Sequence, residues 1–375
     1  MSGFNFESNR RLVIKVGSSL LIGDDGHVHR DWLRGLAHDV ARLHADGHEL
    51  LIVSSGAIAI GSTVLGINKQ RAKLSDLQAA AAAGQVQLVH AYQEALAAHQ
   101  IVAAQILLTP GDTEDRRRFL NARGTLSRLL EKSVVPIINE NDTVATEEIR
   151  YGDNDRLAAR VSQLVMADAL ILLSDVDGLY SADPEKDNTA HHIPEVHKIT
   201  DDILRSAGET QSDVGSGGMT TKVQAARIAT HAGCSTVITN GAIERPLSAL
   251  ADGCRYTEFH AQGTPAVARK QWLAGVLEVC GELRLDDGAV SALNNGKSLL
   301  PVGVTAVNGD FRRGDVLALL NCHGSEIGRG LAEYSSEEAK SLVGRQSDQI
   351  EELLGYRGRS VMVHRDELVL FENDS

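Results

Sequence analysis

Leu12-Val13-Ile14-Lys15-Val16-Gly17-Ser18-Ser19 is a short run of apolar, largely β-branched residues that stops at a glycine and two hydroxyls. Such a run suits a buried strand, and glycine with serine suits the turn that ends one. The same grammar recurs along the chain. Leu50-Leu51-Ile52-Val53 runs into Ser54-Ser55-Gly56, and Val134-Val135-Pro136-Ile137-Ile138 into Asn139-Glu140-Asn141-Asp142. Residues 169–173 run into Ser174-Asp175. Residues 102–108 read as a further strand, and Thr236-Val237-Ile238-Thr239 as the last of the series. Helical patterns lie between them over 30–45 (closed by Gly47), 75–98, 114–132 and 155–166, and again after Lys222. Apolar strands alternating with helices predict an α/β fold, an αβα sandwich whose central sheet is mostly parallel and covered on both faces. Ligands of such sheets sit beyond the carboxyl ends of the strands. The polar motifs obey that rule, since each directly follows an apolar run.

After about Gly263 the rhythm changes to short strands broken by frequent glycines, which predicts a small β-rich second domain. The expected boundaries are 1–262 for the first domain, 263–280 for a connector, 281–360 for the β-rich domain and 361–375 for late strand pieces and a frayed tail.

The chain has 375 residues, 43% hydrophobic and 23% charged, with a net charge of −13. These values fit a soluble globular protein and argue against a broad basic face for nucleic acid. A few lysines in one pocket can still receive an anion. The four cysteines form no CxxC pair and suggest no zinc site, so they read as reduced thiols of a cytoplasmic protein. The first ten residues carry no apolar leader, and the alanine run 79–83 is too short to span a membrane. His191-His192, the adjacent histidine pair, reads as solvated loop, and no protein metal site is expected.

Ser216-Gly217-Gly218-Met219-Thr220-Thr221-Lys222 leads into a stretch of helical composition. Glycines allow close approach of backbone to a ligand, and a helix start offers unpaired N–H groups and partial positive charge. With the lysine this makes a cradle for an anion, most plausibly phosphate. An ordinary glycine loop capping a helix has the same composition, so the surrounding motifs decide. Gly296-Lys297-Ser298 imitates the end of a Walker A loop, but Ser291 stands where its glycine is needed, and it reads as a turn. No GxGxxG follows a strand, which disfavours a dinucleotide site. What remains is a parallel sheet with Lys15 and Lys222 at two phosphate-sized loops. Transfer between two anions opposes charges that repel by about 4 kcal/mol per pair at ~4 Å and an effective dielectric of ~20. Cations and N–H dipoles must offset that repulsion and align the partners.

Lys15-Val16-Gly17-Ser18-Ser19, Ser54-Ser55-Gly56-Ala57, Ser174-Asp175-Val176-Asp177-Gly178-Leu179-Tyr180 and Gly217-Gly218-Met219-Thr220-Thr221-Lys222 resemble, in order, the successive motifs of the amino acid kinase family. Ser55-Gly56-Ala57-Ile58-Ala59, Asn139 to Asp142 and Gly152-Asp153-Asn154-Asp155 are similar to its glutamate-phosphorylating branch. The β-rich tail resembles a PUA domain. Ser54 and Ser216 stand where that branch often has threonine, and both keep a hydroxyl.

The resemblance implies phosphorylation of the glutamate γ-carboxylate by ATP with Mg²⁺, the first step of proline synthesis. It implies that Lys15 and Lys222 flank the transferring group, with Asp175 holding them in place. It assigns Lys15, Gly17, Ser174, Asp175, Ser216, Gly217, Gly218, Met219, Thr220, Thr221 and Lys222 to ATP. It assigns Ser55, Gly56, Asn139, Asp142, Asp153 and Asn154 to the substrate, Asp142 toward the α-ammonium and Asn154 toward the α-carboxylate. Asp155 is open to two readings, a substrate contact or a helix cap. The nucleophile is the substrate's own carboxylate, ionised at neutral pH, so no enzyme base is required. Proline as feedback inhibitor, a homodimer or homotetramer, and a downstream glutamyl phosphate reductase are also implied. Arg116-Arg117-Arg118 reads as a surface patch. The alternatives are a related kinase acting on aspartate, acetylglutamate or carbamate, an RNA-binding protein, and a nucleotide-binding regulator without turnover. Residues 281–370 carry ten Lys/Arg against fourteen Asp/Glu, which disfavours RNA.

Overall fold

The computed structural model describes residues 3–23, 25–69, 71–144, 154–208, 218–274 and 279–371. Two compact units divide the chain, Met1–Pro265 and Ala266–Ser375.

The first unit is built on strands β1 (Arg11–Val16), β2 (Glu49–Ser54), β3 (Ala103–Leu108), β4 (Val135–Glu140), β5 (Ala169–Ser174), β6 (Leu179–Tyr180), β7 (His192–Ile193), β8 (Glu195–Val196), β9 (Ser235–Asn240) and β10 (Tyr256–Phe259). Eight of them form one sheet in the order β3-β4-β2-β1-β5-β9-β10-β8, while β6 and β7 pair as a separate ribbon. The run from β3 to β9 is parallel throughout. β10 turns back antiparallel to β9, and β8 lies parallel beside it. Thr236 to Thr239 is therefore not the end of the sheet. β10 and the two-residue β8 were missed because each is too short to show a period.

Strand alternation divides the core. Leu12, Ile14 and Val16 of β1 face helices Arg30–Ala45 and Leu74–Ala97, among Trp32, Leu36, Leu88 and Tyr92. Val13 faces helices Asn154–Val165 and Met219–His231, among Ala158, Val161, Val223 and Ala226. Lys15 shares the parity of Val13. It must therefore emerge on the second face, under the first turns of those two helices.

Helix Ala57–Leu65 has no sequence signal as a separate element. Its residues are apolar nearly all round, so no polar face marks it. Packing explains it. A Cβ on Gly61 would lie 1.7 Å from the Ala80 carbonyl oxygen, and one on Gly84 would lie 1.9 Å from the Ala57 carbonyl oxygen. Glycine at both positions lets the backbones of helices Ala57–Leu65 and Leu74–Ala97 touch. That contact fixes Gly56, which starts the first helix with φ of 113°.

In the second unit β11 (Gly281–Leu285), β12 (Val304–Gly309), β13 (Val316–Leu320), β14 (Glu326–Leu331) and β15 (Leu368–Leu370) form a sheet ordered β12-β11-β13-β14-β15. Leu283, Leu317, Leu319 and Phe311 anchor its core. Helices Asp287–Asn294 and Ser336–Leu342 are N-capped by Asp286 and Ser335. Gly296 turns the chain after the first of these with φ of 71°, as a turn requires.

Candidate active site

The carboxyl ends of β1 and β2 meet the N-termini of helices Asn154–Val165 and Met219–His231. Lys15 is 7% exposed, Lys222 5% and Asp155 1%. Lys15 Nζ lies 2.6 Å from Asp155 Oδ1, and Lys222 Nζ lies 3.3 Å from Asp155 Oδ2. Thr221 Oγ1 is 3.1 Å from the same Oδ2 and 2.8 Å from the Gly218 carbonyl oxygen, so its single proton serves one of the two at a time. Burial alone would raise the Asp155 pKa. The ammonium charges of Lys15 and then Lys222, with hydrogen bonds from Lys15 and Thr221, outweigh it and hold the carboxylate below its ordinary range. Two ammonium groups share the Asp155 carboxylate in this buried cluster. Buried cations so placed draw an incoming anion.

The neighbouring backbone leaves room for that anion. A Cβ on Gly17 would meet nothing closer than 3.7 Å and would stand 3.9 Å from Lys15 Nζ. A Cβ on Gly218 would meet nothing within 4 Å. Gly218 is also the N-cap of helix Met219–His231 and provides no side-chain cap, so the first N–H groups of this 13-residue helix have no intrahelical acceptor. Lys222 lies in the first turn of the helix rather than ahead of it, and Met219 is already helical. Thr220 Oγ1 donates to the carbonyls of Ala207 or Gly208, tying the helix start to the preceding segment.

Asp175 does not take the place expected for it. Its side chain is exposed and accepts a hydrogen bond from Ser174 Oγ at 2.9 Å. The carboxylate that both lysines touch is Asp155. The reason is geometric, because Asp155 sits in the first turn of a helix packed over β1, while Asp175 follows the last residue of β5. In the sequence Asp155 looks like a capping residue. A surface cap would be solvated, however, and Asp155 is buried.

The other half of the site is an amide network. Asn154 Nδ2 has three acceptors in reach, the Ser54 carbonyl oxygen at 3.2 Å, Ser55 Oγ at 2.7 Å and Asn139 Oδ1 at 3.0 Å. Asn139 Nδ2 in turn donates to Gln85 Oε1 at 2.9 Å. Gln85, from helix Leu74–Ala97, was not anticipated, since a lone glutamine in an alanine-rich helix carries no signal. Asn154 was expected to donate to a substrate carboxylate. Instead its amide hydrogens are committed to the protein, and its buried Oδ1 has no hydrogen-bond partner among the described residues. That oxygen suits an ammonium group. Asp142 opens the short 3₁₀ turn Asp142–Val144 after β4, and burial pushes its carboxyl up to about 6. Ser216, Gly217 and Asp153 lie outside the described residues.

The family model described as the amino acid kinase family matches residues 10–240, and the PUA domain model matches residues 281–354. A protein of Rhizobium rhizogenes (strain K84) named glutamate 5-kinase is 54% identical over 361 residues, covering 96% of this chain and 93% of the relative. A protein of Paramagnetospirillum magneticum (strain AMB-1) with the same name is 54% identical over 362 residues, covering 96% of this chain and 98% of the relative. Motif order, the parallel sheet and this similarity along nearly the whole length lead to one assignment: the chain belongs to the amino acid kinase family and carries a C-terminal PUA domain.

Proposed function

We propose that this chain transfers the γ-phosphoryl group of ATP to the γ-carboxylate of L-glutamate, giving γ-glutamyl 5-phosphate and ADP, the first step of proline biosynthesis. The observation that carries the reading is the meeting of Lys15 and Lys222 on Asp155 beneath the open backbone at Gly17 and Gly218. A glutamate γ-carboxylate oxygen forms the new bond to phosphorus as the bond to the bridging oxygen of ADP breaks, and that oxygen keeps the electron pair. Lys15 and Lys222 would stabilise charge on the oxygens in flight, and Asp155 would position both. Backbone N–H groups at Gly17, Gly217 and Gly218 and the helix start from Met219 to Thr221 would hold the remaining phosphates. Mg²⁺ arriving with the nucleotide would supply charge neutralisation across its phosphates while keeping several waters. The exposed Asp175 carboxylate, with Ser174, fits the nucleotide side of the same rim.

Glutamate would lie over Ser55, Gly56, Asn139 and Asn154, with Asp142 and Asn154 Oδ1 toward its α-ammonium and Asp153 nearby. Proline would act as feedback inhibitor by competing for this pocket. Assembly as a homodimer or homotetramer in the cytoplasm, and delivery of the labile acyl phosphate to a glutamyl phosphate reductase, belong to the same reading. Among the described residues no helix is long and apolar enough to cross a membrane.

Trapping the acyl phosphate with hydroxylamine tests the assignment. Glutamate with ATP and Mg²⁺ should yield hydroxamate, suppressed by proline, while aspartate, acetylglutamate and carbamate should not support comparable turnover. Silence with glutamate alongside turnover of another of these acceptors would overturn the substrate assignment.

A further inference from the structure

The far edge of the large sheet holds a second cluster that the proposed chemistry does not use. β8 and β10 pair in parallel with Glu195 opposite Glu258 and Val196 opposite Phe259. The His260 N–H donates to the Val196 carbonyl at 3.0 Å, carrying the ladder one step further. Alternation then puts Glu195, His197, Glu258 and His260 on one face, while Val196 and Phe259 are buried on the other. Because β10 runs antiparallel to β9, Phe259 lies beside Thr236 at the start of β9, whereas the lysine cluster lies beyond the opposite ends of the strands. The two sites are on opposite rims.

Two carboxylates directly opposed across a ladder repel, and nothing in the strand pairing requires them there. The histidines do not resolve this as ordinary hydrogen-bond partners. His197 Nε2 and His260 Nε2 each stand 3.5 Å from Glu195 Oε2, longer than a good hydrogen bond. His260 Nε2 is buried and has no hydrogen-bond partner among the described residues. The two imidazoles are stacked, with centroids 4.5 Å apart and planes 14° from parallel, so one ring must turn about its side-chain bonds for both Nε2 lone pairs to point at one ion. One donor atom from each of Glu195, His197 and His260 lies within 4.8 Å of the others. A tetrahedral ion bound at about 2.0–2.2 Å separates its donors by about 3.3–3.6 Å. The spacing from the Glu195 oxygen to each nitrogen matches that edge.

We propose that Glu195, His197 and His260 form a site for one divalent transition ion of the zinc class. Two imidazole nitrogens and one carboxylate oxygen suit such an ion and not Mg²⁺, which prefers oxygen ligands and keeps its waters. The fourth position is left to solvent. Glu258 Oε1 lies 3.8 Å from His260 Nδ1, beyond hydrogen-bond reach, and adds negative charge on the far side of that ring. The ion would clamp the two-residue β8 to β10 and so anchor the segment that returns from the β6–β7 ribbon. Its role is structural and independent of phosphoryl transfer.

The test uses the full chain stripped with chelator and free of nucleotide, titrated with Zn²⁺ by calorimetry and with Co²⁺ by visible absorption. The expected result is one equivalent bound with a dissociation constant of about 10 µM or tighter, a tetrahedral Co²⁺ spectrum and a raised melting temperature. His197→Ala, His260→Ala and Glu195→Gln should each weaken binding tenfold or more and remove the thermal shift. His231→Ala, on an exposed helix end, should change nothing. Mg²⁺ should not compete. Absence of a saturable site, or Zn²⁺ and Co²⁺ binding by His197→Ala/His260→Ala equal to that of the unaltered chain, would overturn the proposal.

Discussion

Asp155, almost without solvent access between two ammonium groups, sets the behaviour expected of single residues. Asp155→Asn removes the carboxylate that two buried cations share, which should cost about 3–5 kcal/mol in urea unfolding and also lower kcat. Lys222→Ala removes one cation from the same cluster. It should lower kcat by about 10²–10³-fold while changing the KM for glutamate far less, as loss of an interaction made with developing charge does. Equal changes in both parameters would remove Lys222 from the transition state. Asp142 carries the pH dependence. Its carboxyl is pushed up to about 6, so acidification through that value neutralises the proposed partner of the substrate ammonium. The ratio kcat/KM for glutamate should therefore fall as pH drops below about 6, and Asp142→Asn should raise KM and flatten that limb. Residue identity was partly legible in the sequence. Lys15 and Lys222 stand within four residues of glycines at strand and helix ends, which marks them. Asp155 resembled a cap, and Gln85 and His260 resembled nothing, because only folding brings their partners near.

At the scale of elements, the glycines separate two kinds of necessity. Gly17 has an ordinary φ of −72°, and a Cβ there would clash with nothing nearby. Gly17→Ala should melt within about 0.5 kcal/mol of the unaltered chain yet raise the KM for ATP, because the methyl group occupies the space above Lys15. Gly61→Ala instead forces a Cβ into the backbone of the facing helix. It should cost about 1–3 kcal/mol and weaken glutamate binding by moving Gly56 and Ser55. Thermal melts with separate KM values for the two substrates distinguish these outcomes. The long amphipathic elements were legible: the expected helix over 30–45 is Arg30–Ala45, and the expected strands lead into the polar motifs, with β4 continuing through Asn139 and Glu140. Helix Ala57–Leu65 was not, since tight helix contact rather than periodicity stabilises it. β8 and β10 were not, since two to four residues hold too little pattern.

For the whole molecule, charge limits the range of partners. The chain carries a net −13, and the region 281–370 alone has an excess of four acidic groups, from fourteen against ten. The PUA domain should therefore show no submicromolar RNA affinity at physiological salt in a filter-binding assay. Tight binding that weakens steeply with added salt would reverse that expectation. The parallel sheet was legible because strands and polar ends recur in register along the sequence, and the β-rich second unit because its glycine turns change the rhythm. What long-range pairing alone creates, such as the His197–His260 stack, has no local trace.

The most direct measurement is a crystal structure with ADP, L-glutamate, Mg²⁺ and a planar aluminium fluoride in place of the moving phosphoryl group. Both Lys15 Nζ and Lys222 Nζ should lie within about 3.2 Å of the fluoride, with Asp155 behind them. A fluoride group bound between nucleotide and glutamate but touched by neither lysine would contradict the mechanism.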